Sequence, residues 1–180
     1  KLTATEAFES ALQIGFKEIN DKKLTSCLCE VVSQSLVLLG KSVEAENFLE
    51  GCIKQEPLFL LPYKLLTRIY VSRGKSEEAI EKYEKAIKLG VADAELYSEL
   101  GLILADVGGL ETAVECLNHA MILGSRDKEV FLKLGLIYEA QNNPKAAIVV
   151  YEKANKFVKK DPRINHRLNT LLQQESNASV

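Results

Sequence analysis

Residues 131–154 read FLKLGLIYEAQNNPKAAIVVYEKA, and this stretch decides the fold because earlier segments repeat its pattern. The pattern is an apolar residue, a small residue four positions later, and two further small residues toward the end. It returns as YSELGLILADVGGLETAVECLNHA at 97–120 and as YKLLTRIYVSRGKSEEAIEKYEKA at 63–86. A weaker copy, CEVVSQSLVLLGKSVEAENFLEGC, occupies 29–52, so the copies begin 34 residues apart. A fixed period of this length predicts a repeat architecture.

Small residues recur at three positions of each copy, where two helices are expected to cross with their backbones close together. These positions hold, in turn, Ser33, Thr67, Gly101 and Gly135; Ala45, Ala79, Ala113 and Ala147; and Cys52, Ala86, Ala120 and Ala154. A larger side chain there would push the helices of a pair apart. Each copy is therefore predicted to be a pair of closely packed helices.

Helix boundaries are also marked in each copy. The first helix is predicted to end in a left-handed residue, which is a position that favours Gly or Asn. The candidates are Gly40, Gly74, Gly108 and Asn142. Ser42 and Ser76 are predicted to cap the second helices that follow, while Asn143 and Pro144 supply a cap and a first-turn proline.

These copies resemble the tetratricopeptide repeat family, whose pattern is an aromatic, Leu-Gly, an aromatic, then Ala, an aromatic and Ala. The resemblance implies an all-α fold, namely a right-handed superhelical solenoid of antiparallel helix pairs with four full repeats plus flanking helices. Repeats are predicted at 26–59, 60–93, 94–127 and 128–161. The first is the weakest copy, since it lacks both aromatics of its first helix.

Both ends of the chain fit a solenoid. Residues 1–25 are predicted to form an N-terminal helix, which is either a cap on the first repeat or the second half of a truncated repeat. Residues 162–175 are predicted to be a C-terminal capping helix, and 176–180 a flexible tail. Solenoids need such polar terminal helices to stay in solution.

Composition narrows the function. The chain is 47% hydrophobic and 27% charged, which is typical of a globular protein. Its net charge of −2 offers no electrostatic footprint for nucleic acid. The longest apolar runs, such as 36–39 and 58–61, are too short to span a bilayer, so no direct membrane insertion is expected. Four irregularly spaced cysteines are predicted to be reduced packing residues, as in a cytoplasmic protein.

Catalytic and metal-binding motifs are missing from the sequence. It contains no Gly-rich phosphate loop, nucleophile elbow or His-Glu-x-x-His pair. Histidine is the side chain most often used as a general base at neutral pH, and the sequence contains only His119 and His166. Both are predicted to be surface or packing residues. The chain is therefore predicted to be no enzyme and to bind neither a cofactor nor a metal.

The resemblance implies a binding surface on the first helix of each repeat, at its second, fifth, ninth, twelfth and thirteenth positions. Six of these positions hold apolar residues that together form a stripe: Val37, Leu61, Val71, Leu102, Leu132 and Leu136. Lys64 and Arg68 are one turn apart and suit a carboxylate. The predicted partner-binding groove comprises Glu30, Gln34, Leu61, Lys64, Arg68, Ser98, Leu102, Asp106, Leu132, Leu136 and Glu139.

One family subclass binds the C-terminal carboxylate of chaperone tails with conserved Lys, Asn and Arg side chains. Glu99 and Glu129 replace two of those donors here, which argues against that ligand. We therefore predict a non-catalytic protein–protein interaction scaffold that holds a peptide or helix in its groove, as a module of a larger protein or complex. The alternatives are a dedicated chaperone for a secreted or membrane-inserting protein, self-association through the end helices, and an unused groove with binding on the convex face.

Overall fold

A computed structural model of the protein describes residues 26–157 and 161–178, together with positions 10 and 13. Over these residues the chain is all-α, with nine helices. They are α1 (Ser26–Leu38), α2 (Ser42–Gln55), α3 (Leu60–Ser72), α4 (Ser76–Lys88), α5 (Ala94–Asp106), α6 (Leu110–Ile122), α7 (Lys128–Ala140), α8 (Pro144–Phe157) and α9 (Pro162–Ala178). The chain divides into two compact units, residues 1–92 and 93–180, which are described separately.

The first unit contains the helix pairs α1–α2 and α3–α4, with α2 packed on α3 and α1 on α3. Its small motif residues lie in the core with no exposed surface: Ala45, Cys52, Ala79 and Ala86. Large rings fill the space beside them, and Tyr63 and Tyr83 are buried. The small residues thus allow close helix approach, while the large aromatic rings fill the core beside them.

The second unit contains the pairs α5–α6 and α7–α8, and α9 packs on α8. Its two motif glycines lie at close crossings. A Cβ on Gly101 would approach Leu117 Cγ to 2.7 Å, and a Cβ on Gly135 would overlap the ring of Tyr151. Glycine is required at both positions because a neighbouring side chain already occupies the space. The prediction of an all-α fold of packed helix pairs is confirmed.

The turns inside the pairs follow the predicted left-handed pattern. Positive φ angles of 73°, 72°, 89° and 55° occur at Gly40, Gly74, Gly108 and Asn142, respectively. The predicted serine caps are wrong. Ser42 is the first residue of α2, and the residue before it, Lys41, makes no side-chain cap. Its N–H instead donates to Leu36 O at 2.8 Å, a bond that closes the preceding helix.

Ser76 differs from its prediction in the same way, since Lys75 occupies the cap position without a side-chain bond. The Asn143 cap, by contrast, is confirmed: its side-chain oxygen accepts from the N–H of Ala146 at 3.2 Å, and α8 begins at Pro144. The serines fail because each left-handed turn is followed by a single linking residue, which takes the cap position itself.

The predicted leading helix within 1–25 lies outside the described residues, apart from positions 10 and 13, which are helical. At the other end, α9 buries Ile164, Leu168 and Leu171 and continues to Ala178, beyond the predicted end of the capping helix at 175. The Ser176 hydroxyl donates to Gln173 O at 2.8 Å within this extension. Residues 179 and 180 of the predicted tail lie outside the described residues.

Candidate functional site

A groove in the first unit lies between α1 and α3, the first helices of the first two repeats. Its volume is about 450 Å³. The lining residues are Ser33, Gln34, Val37, Leu38, Leu65, Arg68, Ile69 and Ser72. Two predicted groove residues, Gln34 and Arg68, therefore meet here. We call this cavity the α1–α3 groove.

Most of the α1–α3 groove is apolar. Val37 is 41% exposed and Leu38 72% exposed, although both are large aliphatic side chains. The hydroxyl groups of the lining are already bonded within their own helices: Ser33 Oγ donates to Cys29 O at 2.6 Å, and Ser72 Oγ to Ile69 O at 2.8 Å. An occupant therefore meets aliphatic carbon together with the amide of Gln34 and the guanidinium of Arg68.

The predicted groove residues of this unit differ in their exposure to solvent. Glu30 is exposed and Leu61 is half-buried. Lys64, however, is 8% exposed, whereas Arg68, one turn further along α3, is exposed. Lysine carries a long aliphatic stem that is buried readily, so a charged residue at a predicted binding position does not guarantee an accessible charge. The predicted Lys64–Arg68 pair is thus divided between interior and surface.

On α5 the predicted polar groove residues bond to other parts of the second unit. Ser98 is buried; its hydroxyl donates to Ala94 O at 2.7 Å and lies 3.0 Å from the hydroxyl of Ser125. Asp106 is exposed and accepts from the Lys133 ammonium at 2.7 Å. Leu102 is half-buried. Of the predicted groove residues on α5, Leu102 is therefore the one whose side chain can contact an apolar ligand.

A second groove lies between α7 and α9 and has a volume of about 470 Å³. Its lining consists of Leu132, Leu136, Glu139, Arg163, His166, Arg167 and Thr170. The first three are predicted groove residues, which the fold brings together with four residues of α9. Leu132 is 8% exposed and Leu136 half-buried, so they form the floor, whereas the charged residues form the rim. We call this cavity the α7–α9 groove.

Charges in the α7–α9 groove are paired. Glu139 accepts from the Tyr151 hydroxyl at 2.6 Å and from the Arg167 guanidinium at 3.0 Å. Burial, followed by this hydrogen bond to Glu139, raises the pKa of Tyr151. Arg163 bonds to Glu129 at 2.6 Å and to Asp161 at 2.9 Å. Glu139 is therefore a structural partner of α8 and α9 as well as a groove residue.

The α9 contributions, Arg163 and Arg167, were not foreseen from the sequence. One signal for Arg163 was present, because it stands 34 residues after Glu129, at the same motif position of the next helix pair. Equivalent positions of successive repeats are neighbours in a stacked array. Opposite charges one period apart therefore predict an ion pair between first helices.

The histidine and cysteine side chains described next contact other side chains of the fold. The ring of His119 stacks on Tyr97 with centroids 5.3 Å apart. Cys29 and Cys52 are buried with their sulfurs 3.8 Å apart, and the hydrogen bond between them, followed by burial, raises the pKa of the Cys52 thiol. Within the described residues no three His, Cys, Asp or Glu side chains cluster as metal ligands. In the same part of the chain no helix combines the length and apolarity needed to cross a membrane.

Comparisons with known proteins agree with these features. A TPR repeat model matches residues 68–108, and a tetratricopeptide repeat model matches residues 129–157. No curated protein matches the sequence significantly. These two segments match tetratricopeptide repeats, and proteins built from such repeats generally mediate protein–protein interaction.

Solved structures share the fold at low sequence identity. YrrB, described as a TPR protein with an unusual peptide-binding site, superposes with a TM-score of 0.71 at 19% identity, covering 97% of this chain and 86% of its own. A MamA protein gives 0.69 at 21%, covering 84% and 82%. A tetratricopeptide repeat protein from Parabacteroides merdae gives 0.68 at 23%, covering 91% and 61%. At these identities the likeness establishes a helical-repeat solenoid fold.

Proposed function

We propose that this chain is a non-catalytic protein-interaction module that holds a peptide segment of a partner against the first helices of its repeats. The observation that carries the proposal is the α1–α3 groove, where the exposed aliphatic side chains of Val37 and Leu38 share a lining with the Arg68 guanidinium. Apolar grooves between helices are a common mode of peptide recognition, with affinity from aliphatic anchors and orientation from a few polar groups.

Comparison among the repeats supports an apolar anchor site at Leu38. The equivalent positions of the later repeats are polar or small: Ser72, Asp106 and Ala140. A leucine that is 72% exposed gains little from folding of the chain, since most of its surface stays in water. Burial against a partner would recover that contribution, so Leu38 is a natural contact for an aliphatic side chain of the bound segment.

The Arg68 guanidinium indicates which polar group the proposed ligand carries beside its aliphatic residue. A guanidinium at the edge of an apolar groove binds a carboxylate through two parallel hydrogen bonds, and it can also donate to the single oxygen of a peptide carbonyl. Because Arg68 and Leu38 line the same groove, the proposed ligand carries an aliphatic residue close to an acidic side chain or a free carbonyl. YrrB, which shares the fold, is described as containing a peptide-binding site, and this is consistent with the proposal.

The α7–α9 groove contributes less in this proposal. Glu139 and Arg167 pair with each other, while Arg163 pairs with Glu129 and Asp161. The two leucines of this groove are buried or half-buried, so it offers a ligand less exposed apolar surface than Val37 and Leu38 do. The half-buried Leu136 and the underlying Leu132 still offer an apolar floor. We therefore assign the principal contact to the first unit and an auxiliary apolar contact to the second.

The experiment identifies the bound segment and then tests the groove. The tagged protein is used to capture partners, the bound region is reduced to a synthetic peptide, and its Kd is measured by fluorescence anisotropy. Leu38→Glu and Arg68→Glu should each raise the Kd at least about tenfold, as expected for central contacts of an interface.

Matched controls lie on α2 of the same unit. Val43 is 54% exposed and Lys54 is exposed, so Val43→Glu and Lys54→Glu repeat the same chemistry away from the groove. Both should leave the Kd within about twofold of the original protein. A partner peptide that ignores Leu38→Glu and Arg68→Glu but retains its affinity for the folded protein would refute the groove assignment.

The alternatives give different outcomes in the same set of measurements. A dedicated chaperone would keep an otherwise insoluble partner in solution on co-expression, and Leu38→Glu would abolish that effect. Self-association through end helices would appear as a rise in mass with concentration in light scattering, without any added partner. A monomer that captures a soluble partner supports the module proposed above.

A further inference from the structure

A third cavity lies in the second unit and shares no lining residue with the α7–α9 groove. It is formed by the C-terminal ends of the second helices α6 and α8 and the turn between α6 and α7, and its volume is about 450 Å³. The lining residues are Asn118, Met121, Ile122, Gly124, Ser125, Arg126, Phe131, Lys153 and Phe157. We call it the α6–α8 pocket.

Two apolar side chains stand open to solvent around this pocket. Ile122 is 78% exposed and Phe157 is 59% exposed. The half-buried Met121 and the buried Phe131 continue the same surface inward. An aliphatic, a thioether and two aromatic side chains thus form one concave apolar wall, which is the composition that binding pockets favour.

The pattern within the chain shows that Ile122 is not required by the fold. The three equivalent residues, each one or more periods of 34 away, are all lysines: Lys54, Lys88 and Lys156. All three lysines are exposed. Because this motif position faces solvent in every repeat, internal packing gives no reason for an isoleucine in the third repeat.

The neutral polar groups of the pocket are already bonded inside the unit. The Asn118 amide donates to the Tyr138 hydroxyl at 3.1 Å, and the Ser125 hydroxyl lies 3.0 Å from that of Ser98. The two cations of the lining differ from them: neither Arg126 nor Lys153 forms an ion pair with any described residue, and no acid lines the pocket. The nearby Asp127 directs its carboxylate to the N–H of Glu129 at 3.0 Å.

This pocket combines an apolar wall with two cations that form no ion pair with any described residue, on a chain whose net charge is −2. The complementary ligand is an apolar side chain with carboxylates beside it. We propose that the α6–α8 pocket is a second docking site, which binds a partner segment with an aliphatic or aromatic anchor flanked by acidic residues. This site shares no lining residue with the α1–α3 groove, so the two docking sites can be tested separately.

The test uses a display library of random twelve-residue peptides, selected in parallel on the unchanged protein and on a double variant, Ile122→Ser with Lys153→Glu. Peptides retained by the unchanged protein and lost on the variant should be enriched in acidic residues around one apolar residue. One such peptide, labelled with fluorescein, is then used to measure Kd. Ile122→Ser and Lys153→Glu alone should each raise the Kd about tenfold.

The controls separate this site from other surfaces. Val149 is 50% exposed and Lys145 is exposed, and both lie on α8 outside the pocket, so Val149→Ser and Lys145→Glu should leave the Kd unchanged. Leu38→Ser, in the α1–α3 groove, should also have no effect on this peptide. Failure of the groove assignment would therefore leave the pocket assignment standing, and the converse also holds.

Several results would overturn the inference. The pocket is no docking site for acidic segments if no peptide distinguishes the unchanged protein from the double variant, or if the selected peptides lack acidic residues. A dimer in sedimentation that Ile122→Ser dissociates would assign the surface to a second copy of the chain. Thermal unfolding followed by circular dichroism verifies that each variant keeps its helices, so a lost interaction is not mistaken for a lost fold.

Discussion

The two units meet the same packing requirement with different residues. In the first, the small position of each first helix holds Ser33 or Thr67, whose hydroxyls donate to backbone carbonyls of their own helices at 2.6 and 2.9 Å. In the second, the same position holds Gly101 or Gly135, against which Leu117 and Tyr151 are packed. A shared motif position therefore tolerates a side chain in one unit and excludes it in the other.

The grooves of the two units also differ in the residues that they expose. The α1–α3 groove exposes aliphatic residues, whereas the α7–α9 groove carries a rim of paired charges. The difference shows that a repeat motif determines how helices pack but leaves their outer residues free to vary. Binding properties therefore belong to individual repeats, even where the packing is shared.

The largest expected effect separates the two kinds of small position. Gly135→Ala should destabilise the protein by about 2–3 kcal/mol, because the new methyl group overlaps a ring that cannot move freely. The Tyr151 hydroxyl is held by Glu139, so the ring resists displacement. Urea unfolding measures the change in the free energy of unfolding.

Gly51→Ala is the matched control for this substitution. Gly51 lies within α2, and a Cβ added there meets nothing within 4 Å. The same change should therefore stabilise the protein, by about 0.5–1 kcal/mol, since alanine favours helix more than glycine does. Equal effects at the two glycines would show that close packing at Gly135 does not matter.

The next effect compares two buried tyrosines. The Tyr151 hydroxyl donates to a carboxylate at 2.6 Å, whereas that of Tyr63 donates to the carbonyl of Pro57 at 3.0 Å. Hydrogen bonds to charged acceptors contribute more, so Tyr151→Phe should cost about 1.5–2 kcal/mol and Tyr63→Phe about 1 kcal/mol. The reverse order in urea unfolding would contradict the assigned role of Glu139.

A pH-dependent effect distinguishes the charged end of the second unit. Hydrogen bonds from Arg163 lower the pKa of Asp161 from 3.8 to about 2. Because the folded-state pKa is depressed, this stabilisation is present above the unfolded-state pKa and is lost as the pH falls from about 4 to about 2. The difference in Tm between the unchanged protein and Asp161→Asn should therefore shrink over that range.

The Asp161→Asn variant needs a control, because the Asp161 side chain also caps α9. The Asp161 carboxylate also accepts from the backbone N–H of Arg163 at 2.9 Å, a cap that Asn can partly replace. Thr170→Ala, an exposed change on the same helix, should give a Tm difference that does not vary with pH. A constant difference for Asp161→Asn between pH 2 and pH 5 would exclude the depressed pKa.

The smallest effect is expected in the first unit. Thr67→Ala removes a hydroxyl bonded only to the backbone of its own helix, and alanine has the higher helix propensity. The free energy of unfolding should change by less than about 1 kcal/mol. A loss as large as that of Gly135→Ala would mean that the two units depend on the small position for the same reason.

The sequence by itself determined the helix pairs and their closest crossings. A period of 34 residues places the small positions in register, and left-handed helix ends require residues such as Gly40 and Asn142. Both properties depend on backbone sterics, which act within a few residues of chain or at contacts that the repeat reproduces. They can therefore be recognised without knowing the tertiary structure.

Only the tertiary structure decided which outer residues are accessible. Lys64 and Arg68 belong to the same predicted surface, yet one is buried and the other exposed. Likewise, Ile122 departs from the lysines of the other repeats in a visible way, but its position beside Phe157 and two cations depends on how α6 and α8 pack. Accessibility depends on every neighbouring element at once, and for that reason the period of the sequence does not encode it.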